Sequence, residues 1–305
     1  MLSQLRCSMS VSCMPTTIFP FLKFFKNMKF RIFTIAALAA LTVMSITACN
    51  NDDDDDNTNP NEKGTLELEF DNVVGEDHAN LILNGPEYTN AAGEKFTVTL
   101  LNYYISNIVL EKNDGTEYVV PQDSSYFLIK ESDPSTRTIK LSNIPAGEYT
   151  HIHFMVGVDS LRNTMDISQR TGVLDPANNT GDNAMYWSWN SGYIFFKMEG
   201  LSPNAPADPN GEKKFRWHVG GFGGYSSKTI NNIKEVEVHV HEGDEPAIVG
   251  EGKAPHAHIF VNILKAFEGE KTLKIADLPT IHFNPLSVDI ANNYQHMFEL
   301  DHIHQ

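Results

Sequence analysis

Eight of the twelve histidines in this 305-residue chain fall into four His-x-His pairs: His151/His153, His239/His241, His256/His258 and His302/His304. Residues i and i+2 of a β-strand project from the same face. Each pair can therefore present two imidazoles side by side, the way a strand offers nitrogen ligands to copper or zinc. The chain holds three cysteines, Cys7, Cys13 and Cys49, and none beyond residue 49. A blue-copper site with its thiolate is thereby excluded from the body of the protein, and no disulfide frames it. What remains is a His-rich site, helped by Met, carboxylate or carbonyl groups.

The pairs differ in their surroundings. In Glu235-Val236-Glu237-Val238-His239-Val240-His241 the valines share one face, and Glu235, Glu237, His239 and His241 share the other. In Thr150–Val156, residues Ile152, Phe154 and Val156 form a core face, leaving His151, His153 and Met155 opposite. That trio suits soft Cu(I), although a polar sheet face explains it as well. His256-Ala257-His258 follows Pro255, which marks an edge or a strand start, and reads as a wet strand face. His302 and His304 stand beside Asp301, a carboxylate able to orient an imidazole. His218 lies between Trp217 and a Gly-rich turn that permits close backbone approach. His78, His282 and His296 are isolated and read as surface or hydrogen-bonded histidines. The predicted metal set is His218, His302, His304, His239 and His241.

Strands must position these residues. Thr65–Phe70 alternates cleanly, with Leu66, Leu68 and Phe70 on one face. Further strands are predicted over Phe96–Leu101, Tyr103–Glu111, Tyr126–Lys130, Thr138–Leu141, Thr150–Val158, Tyr193–Glu199, Phe215–Val219, Glu235–His241, His258–Leu264 and Thr272–Ile275. Turn signals such as Asn113-Asp114-Gly115 and Pro145-Ala146-Gly147 separate many of them. The fold class is all-β: an antiparallel β-sandwich-like domain with long functional loops. It ends in a short C-terminal helix, starting near Asp289 with Ile290, Tyr294, Met297 and Phe298 on one face.

The N-terminus sets the compartment. Residues 1–27 read as a mis-start or an extended basic region. Residues 28–49 read as a lipoprotein signal peptide: Lys29 and Arg31, an apolar run over Ile32–Val43 too short to span a bilayer, then Ile46-Thr47-Ala48-Cys49. The last four residues resemble a bacterial lipobox, which implies acylation of Cys49. Residues 50–63, with Asp52–Asp56, read as a disordered acidic tether. An acidic run after a lipid-bearing cysteine resembles the surface-export signal of Bacteroidota lipoproteins. The expected location is the outer membrane, on its outer face, with the periplasmic face as the alternative. The chain carries a formal charge of −16, and its five basic residues before Cys49 leave −21 on the rest. Such a surface repels nucleic acid and favours cations. Residues 64–305 are then one β domain.

Two long connections hold all three tryptophans. Residues 159–192 include Met185-Tyr186-Trp187-Ser188-Trp189-Asn190-Ser191-Gly192-Tyr193; the other patch is Phe215-Arg216-Trp217-His218-Val219-Gly220-Gly221. Loops of this length in a compact domain are functional or disordered, and aromatic density argues for function. These blocks carry a resemblance to the MbnP-like copper-binding proteins. Tyr103-Tyr104-Ile105-Ser106-Asn107, Pro145-Ala146-Gly147-Glu148-Tyr149, Gly157-Val158-Asp159-Ser160, Glu199-Gly200 and Met297-Phe298 with Asp301-His302-Ile303-His304 complete it, in family order.

The resemblance implies an exported, β-rich, copper-binding protein. It also implies a di-haem cytochrome c peroxidase-like partner that oxidises a tryptophan to kynurenine, with Trp187 or Trp189 as the modified residue and His218 as a ligand. Many relatives that pair with the di-haem enzyme carry cysteines that are missing here after Cys49. The expected cofactor is copper, with zinc as the alternative. No nucleophile elbow, His-Glu-x-x-His or phosphate loop is present, so the protein is not expected to be an enzyme. The competing reading is a surface glycan-binding lipoprotein that stacks ligand on Trp187, Trp189 and Trp217.

Overall fold

The computed structural model describes residues 62–179, 184–189, 192–241 and 243–305. The predicted signal peptide, Cys49 and most of the predicted acidic tether lie outside the described residues. Ten strands of five or more residues build the fold: β1 (Lys63–Val74), β2 (Lys95–Lys112), β3 (Tyr126–Lys130), β4 (Thr138–Pro145), β5 (Gly147–Val156), β6 (Gly192–Leu201), β7 (Lys214–Gly220), β8 (Lys234–His239), β9 (His256–Asn262) and β10 (Phe298–His304). They form two sheets. A five-stranded sheet runs β10-β9-β1-β4, with the short strand Ala79–Asn80 on the far end of β1. An eleven-stranded sheet runs β8-β5-β2-β6-β7 and ends on the short strand Thr280–Ile281.

Alternation dictates how the sheets pack. Leu66, Leu68 and Phe70 of β1 are buried, and so are Ile152, Phe154 and Val156 of β5. Their faces meet edge-on: Phe70 and Phe154 have ring centroids 5.7 Å apart at 84°, and Phe298 of β10 packs on both rings. Each such aromatic contributes roughly 1.5–3 kcal/mol by leaving water. Consecutive residues of β2 serve opposite sides of its sheet. Tyr103 enters the main core, while Tyr104 enters a second cluster with Leu174, Met185, Trp187, Tyr193 and Phe222. This second cluster lies under the long connection from 159 onward. Hydrogen bonds fix that connection: Tyr104 Oη donates to Val173 O (2.9 Å), and Asn163 Nδ2 donates to Val158 O (2.6 Å).

The sandwich is mixed rather than wholly antiparallel, because β1 and β9 run parallel. The two predicted strands over 96–111 are one continuous strand, β2. The strand predicted over Thr272–Ile275 does not form. There the amides of Ile275 and Ala276 donate to the buried Glu94 carboxylate (2.5 and 3.0 Å), so a side chain takes the place of a sheet partner. The C-terminal helix spans Ser287–Tyr294 and buries Ile290 and Tyr294, as expected. It stops before Met297, and Phe298 instead begins the final strand, which the helical spacing of the apolar residues concealed. No helix among the described residues is long and apolar enough to cross a membrane.

Candidate metal centre

The predicted ligands occupy three separate neighbourhoods. His218 lies on β7, His239 on β8, and His302 and His304 on β10 of the other sheet. Four strand-to-strand steps separate β7 from β8, about 19 Å at ordinary sheet spacing. No single ion can gather all five.

The first neighbourhood lies on the side of β6 and β7 turned away from the main core. Phe215, Trp217 and Val219 point into the core, so Arg216, His218 and Gly220 point outward. In register beside them on β6 stand Lys197 and Glu199. His218 Nε2 is 2.7 Å from Glu199 Oε1, and Lys197 Nζ is 3.7 Å from the same oxygen. With the carboxylate accepting from Nε2–H, the lone pair of His218 sits on Nδ1, the arrangement that orients metal-binding histidines. Burial alone would raise the Glu199 pKa. The hydrogen bond and charge of His218, with Lys197 and Arg216, outweigh it and hold the carboxyl below its ordinary value.

His282 closes this neighbourhood. Its ring meets that of His218 at 4.8 Å between centroids, at a steep 66°. Burial lowers its pKa, the charges of His218 and Arg216 adding to the effect, so the imidazole is neutral and able to ligate at neutral pH. In sequence His282 stands isolated and reads as a surface or hydrogen-bonded histidine; it is exposed, but it is not alone, because its ring meets that of His218. The signal that could have found it is Thr280-Ile281-His282-Phe283, whose first two residues pair in parallel with Arg216 and Trp217.

The tryptophan segment packs beside this place, on Gly220 of the same strand face. Trp187 is 7 % exposed and packs 5.4 Å from Trp189 and 6.4 Å from Phe283, the neighbour of His282. A Cβ on Gly220 would come within 2.7 Å of the Trp187 ring and would also collide with Tyr193 O, so only glycine admits the indole here. Trp189 is 66 % exposed. Trp217 is wholly buried, its Nε1 donating to Leu278 O at 2.7 Å. A three-tryptophan stacking platform therefore does not exist; the core claims Trp217 because it alternates with His218.

The second neighbourhood joins two pairs that look independent in sequence. His239 is in register with His151, and Glu237 with His153. Val236 and Val238 are buried opposite, as the alternation predicts, but the strand ends at His239. His241 lies beyond it, 3.1 Å from Leu300 O. His153 Nε2 lies 3.0 Å from Glu111 Oε2, and His151 Nε2 lies 3.9 Å from Glu237 Oε1. These imidazoles are matched with carboxylates along a polar face and do not converge on one point. Met155, the soft ligand of the predicted trio, accepts from Asn107 Nδ2 at 3.2 Å.

The third neighbourhood covers the outer face of the five-stranded sheet. His256 pairs with His304 and His258 with His302 across β9 and β10, while Glu67 and Glu69 of β1 stand in register on the other side. The pair His256/His258 does begin a strand, as Pro255 suggests, but β9 is flanked on both sides and is no edge. Two groups converge closely: His258, His302 and His304, and Glu69, His256 and His258, the ligand atoms of each lying within 4.8 Å of one another.

Fold and sites together define a mixed β-sandwich with clustered imidazoles on the outward faces of both sheets. The MbnP family model matches residues 63–283, and the chain belongs to that family. The match takes in His218, Trp187, Trp189 and His282 and stops before His302. Among solved structures, MbnP from Methylosinus trichosporium is similar at 16 % identity and a TM-score of 0.48, covering 69 % of this chain and 80 % of that one. No curated protein matches.

Proposed function

We propose that this protein is a lipid-anchored, non-enzymatic copper-binding protein of the cell envelope, acting in copper acquisition, storage or delivery. The observation that carries the copper reading is the His218–His282 contact at 4.8 Å, inside the stretch the family model matches. The donors present fit the metal. Two imidazoles, one braced by Glu199 and one whose pKa is lowered by desolvation, are nitrogen ligands of a kind copper takes in either oxidation state. Copper would supply a redox-active cation; the chain's own part is to hold the two imidazoles in place.

Oxidation of a tryptophan to kynurenine by a di-haem peroxidase-like partner belongs to the same reading. With peroxide as oxidant, the indole five-membered ring opens and one carbon leaves as formate. Trp189 is the ring such a partner can reach, since Trp187 is covered. Anchoring through Cys49 and an outer-membrane location rest on the lipobox and the acidic run.

The test is copper loading of purified wild-type protein against H218A/H282A at neutral pH, read by bound copper per protein. We expect the double variant to hold one copper fewer per protein than wild type, through a loss of roughly tenfold or more in affinity at this site. Wild-type protein that takes up no copper, or a double variant that binds as well as wild type, overturns the reading.

A further inference from the structure

The outer face of the five-stranded sheet carries more imidazoles than the copper reading uses, and a local irregularity of the chain brings them together. Phe298 and Leu300 of β10 point inward. Strict alternation would send His302 and His304 inward with them, because all four positions are even. The register slips between His258↔His302 and Ile259↔Leu300, leaving Asp301 as the extra residue of a bulge. Beyond the bulge the parity reverses: Ile303 packs on the core, and His302 and His304 face out. The bulge therefore aims two imidazoles at the two already on β9.

The four rings lie close together. His258 stacks on His302 at 4.5 Å between centroids and 9°, His256 on His258 at 4.4 Å, and His304 stands edge-on to both His258 and His302. Carboxylates hold the outer nitrogens. Asp301 Oδ2 is 2.7 Å from His302 Nδ1, and Asp71 Oδ2 is 3.3 Å from His258 Nδ1. Such contacts fix the tautomer that leaves the Nε2 lone pair free. His302 Nε2 and His304 Nε2 are 3.0 Å apart. Two nitrogens bound tetrahedrally to one zinc-sized ion lie roughly 3.3 Å apart, so the pair is near its liganding separation already.

A second observation concerns His256. Its Nε2 is shielded from solvent and makes no aligned hydrogen bond, although Glu69 Oε2 is only 3.0 Å away. Glu69 differs from its neighbour Glu67, which is engaged by Lys140 at 2.9 Å: the ion pairs Glu69 makes on this face are with His256 and His258. A shielded nitrogen lone pair facing a carboxylate is costly unless a proton or a cation lies between them.

We propose that His258, His302 and His304 form a second metal site, for a divalent transition-metal ion of the Zn²⁺ or Cu²⁺ class, with His256 and Glu69 as an adjoining seat that shares His258. Three imidazoles with no sulfur ligand suit a borderline divalent ion rather than Cu(I). The exposure of His302 and His304 leaves a coordination position open to solvent, so the ion enters and leaves without any loop moving. This site takes up metal from outside and exchanges it; at the other, His282 is exposed and His218 is half-buried.

The experiment uses Zn²⁺ alone, titrated in competition with a chromophoric chelator into wild type, H302A/H304A, H258A and H218A/H282A at neutral pH. Wild type and H218A/H282A should bind one zinc ion with the same affinity. H302A/H304A and H258A should bind it at least about tenfold more weakly. Unchanged zinc binding in H302A/H304A overturns the proposal, as does zinc binding lost in H218A/H282A instead. His258 is partly buried, so should H258A fail to fold, the exposed pair His302 and His304 decides the question alone. Copper retained by H302A/H304A separates this site from the copper reading, so either can fail while the other stands.

Discussion

Two of the three histidine neighbourhoods use one ligand chemistry and are built in different ways. Beside His218 the packing is aromatic: a glycine on the strand admits Trp187, Phe283 packs on that indole, and desolvation lowers the pKa of His282. On the five-stranded sheet the rings are open, held by carboxylates, and gathered from two strands by a bulge. The difference separates what makes a site from what governs access to it. Imidazole count is higher on the open face, yet the family-matched stretch ends before β10. The packing beside His218 depends on the absence of a side chain at Gly220, and the open face on a bulge that takes Asp301 out of the alternation. Each can therefore be broken without touching the other.

Deleting Asp301 should have the largest effect on the open face. The deletion removes the bulge and the carboxylate on His302 together. His302 then directly follows Leu300, so regular alternation keeps His302 and His304 outward in the same register with β9. What is lost is the contact that orients the His302 ring, 2.7 Å from Asp301 Oδ2. Zinc affinity should fall by about 10–100-fold while copper binding at His218 persists. A deletion variant with wild-type zinc affinity would show that Asp301 does not orient the pair.

Next in size is Gly220→Ala. The added methyl meets the Trp187 ring and Tyr193 O, so overpacking should destabilise the protein by about 1–3 kcal/mol. Copper affinity should fall because overpacking at Gly220 shifts the strand that carries His218. Zinc affinity on the other sheet should stay as it was.

Much of this was legible from alternation. Glu235–His239 and Thr150–Val156 point as their patterns require, and the buried set follows directly. Neighbours were not legible. Nothing in the local sequence says that β1 and β9 run parallel, which is what sets Glu69 beside His258. The bulge at Asp301 was hidden because Phe298, Leu300, His302 and His304 share one parity, a pattern that reads as a single mixed face. His282 was hidden because only its short pairing with β7 brings it to His218. The tryptophans illustrate the same limit: Trp187, Trp189 and Trp217 look alike in sequence, and register alone buries Trp217 while Trp189 is left in solvent.

A smaller effect sharpens the His218 site further. Glu199→Gln keeps an acceptor for His218 but removes the negative charge. Copper affinity should fall by about 10–100-fold, the usual cost of losing a carboxylate that orients a ligating histidine. The pH profile carries a second readout. Protonation removes a ligand, and the lowered pKa of His282 moves that loss below the ordinary histidine value near 6.5. Glu199 is among the groups that favour the charged form of His282, so in the variant its protonation should shift lower still. A copper-binding profile that shifts upward in Glu199→Gln would contradict this electrostatic account.

The smallest structural effect belongs to Trp189→Phe, and it discriminates most finely. Trp189 is 66 % exposed, and its close ring contact is with Trp187 at 5.4 Å, so stability should change by no more than about 0.5 kcal/mol. Conversion of one tryptophan to kynurenine adds about 4 Da, by the balance of one oxygen gained and one carbon lost. If Trp189 is the oxidised ring, protein matured beside its partner enzyme loses that mass gain in Trp189→Phe and keeps it in Trp187→Phe. The reverse result would place the chemistry on the covered ring. It would mean that the oxidising equivalent reaches Trp187 through Trp189 or through the neighbouring aromatics rather than by direct contact. Zinc binding at His258, His302 and His304 should be identical in both variants, because neither indole touches the five-stranded sheet's outer face.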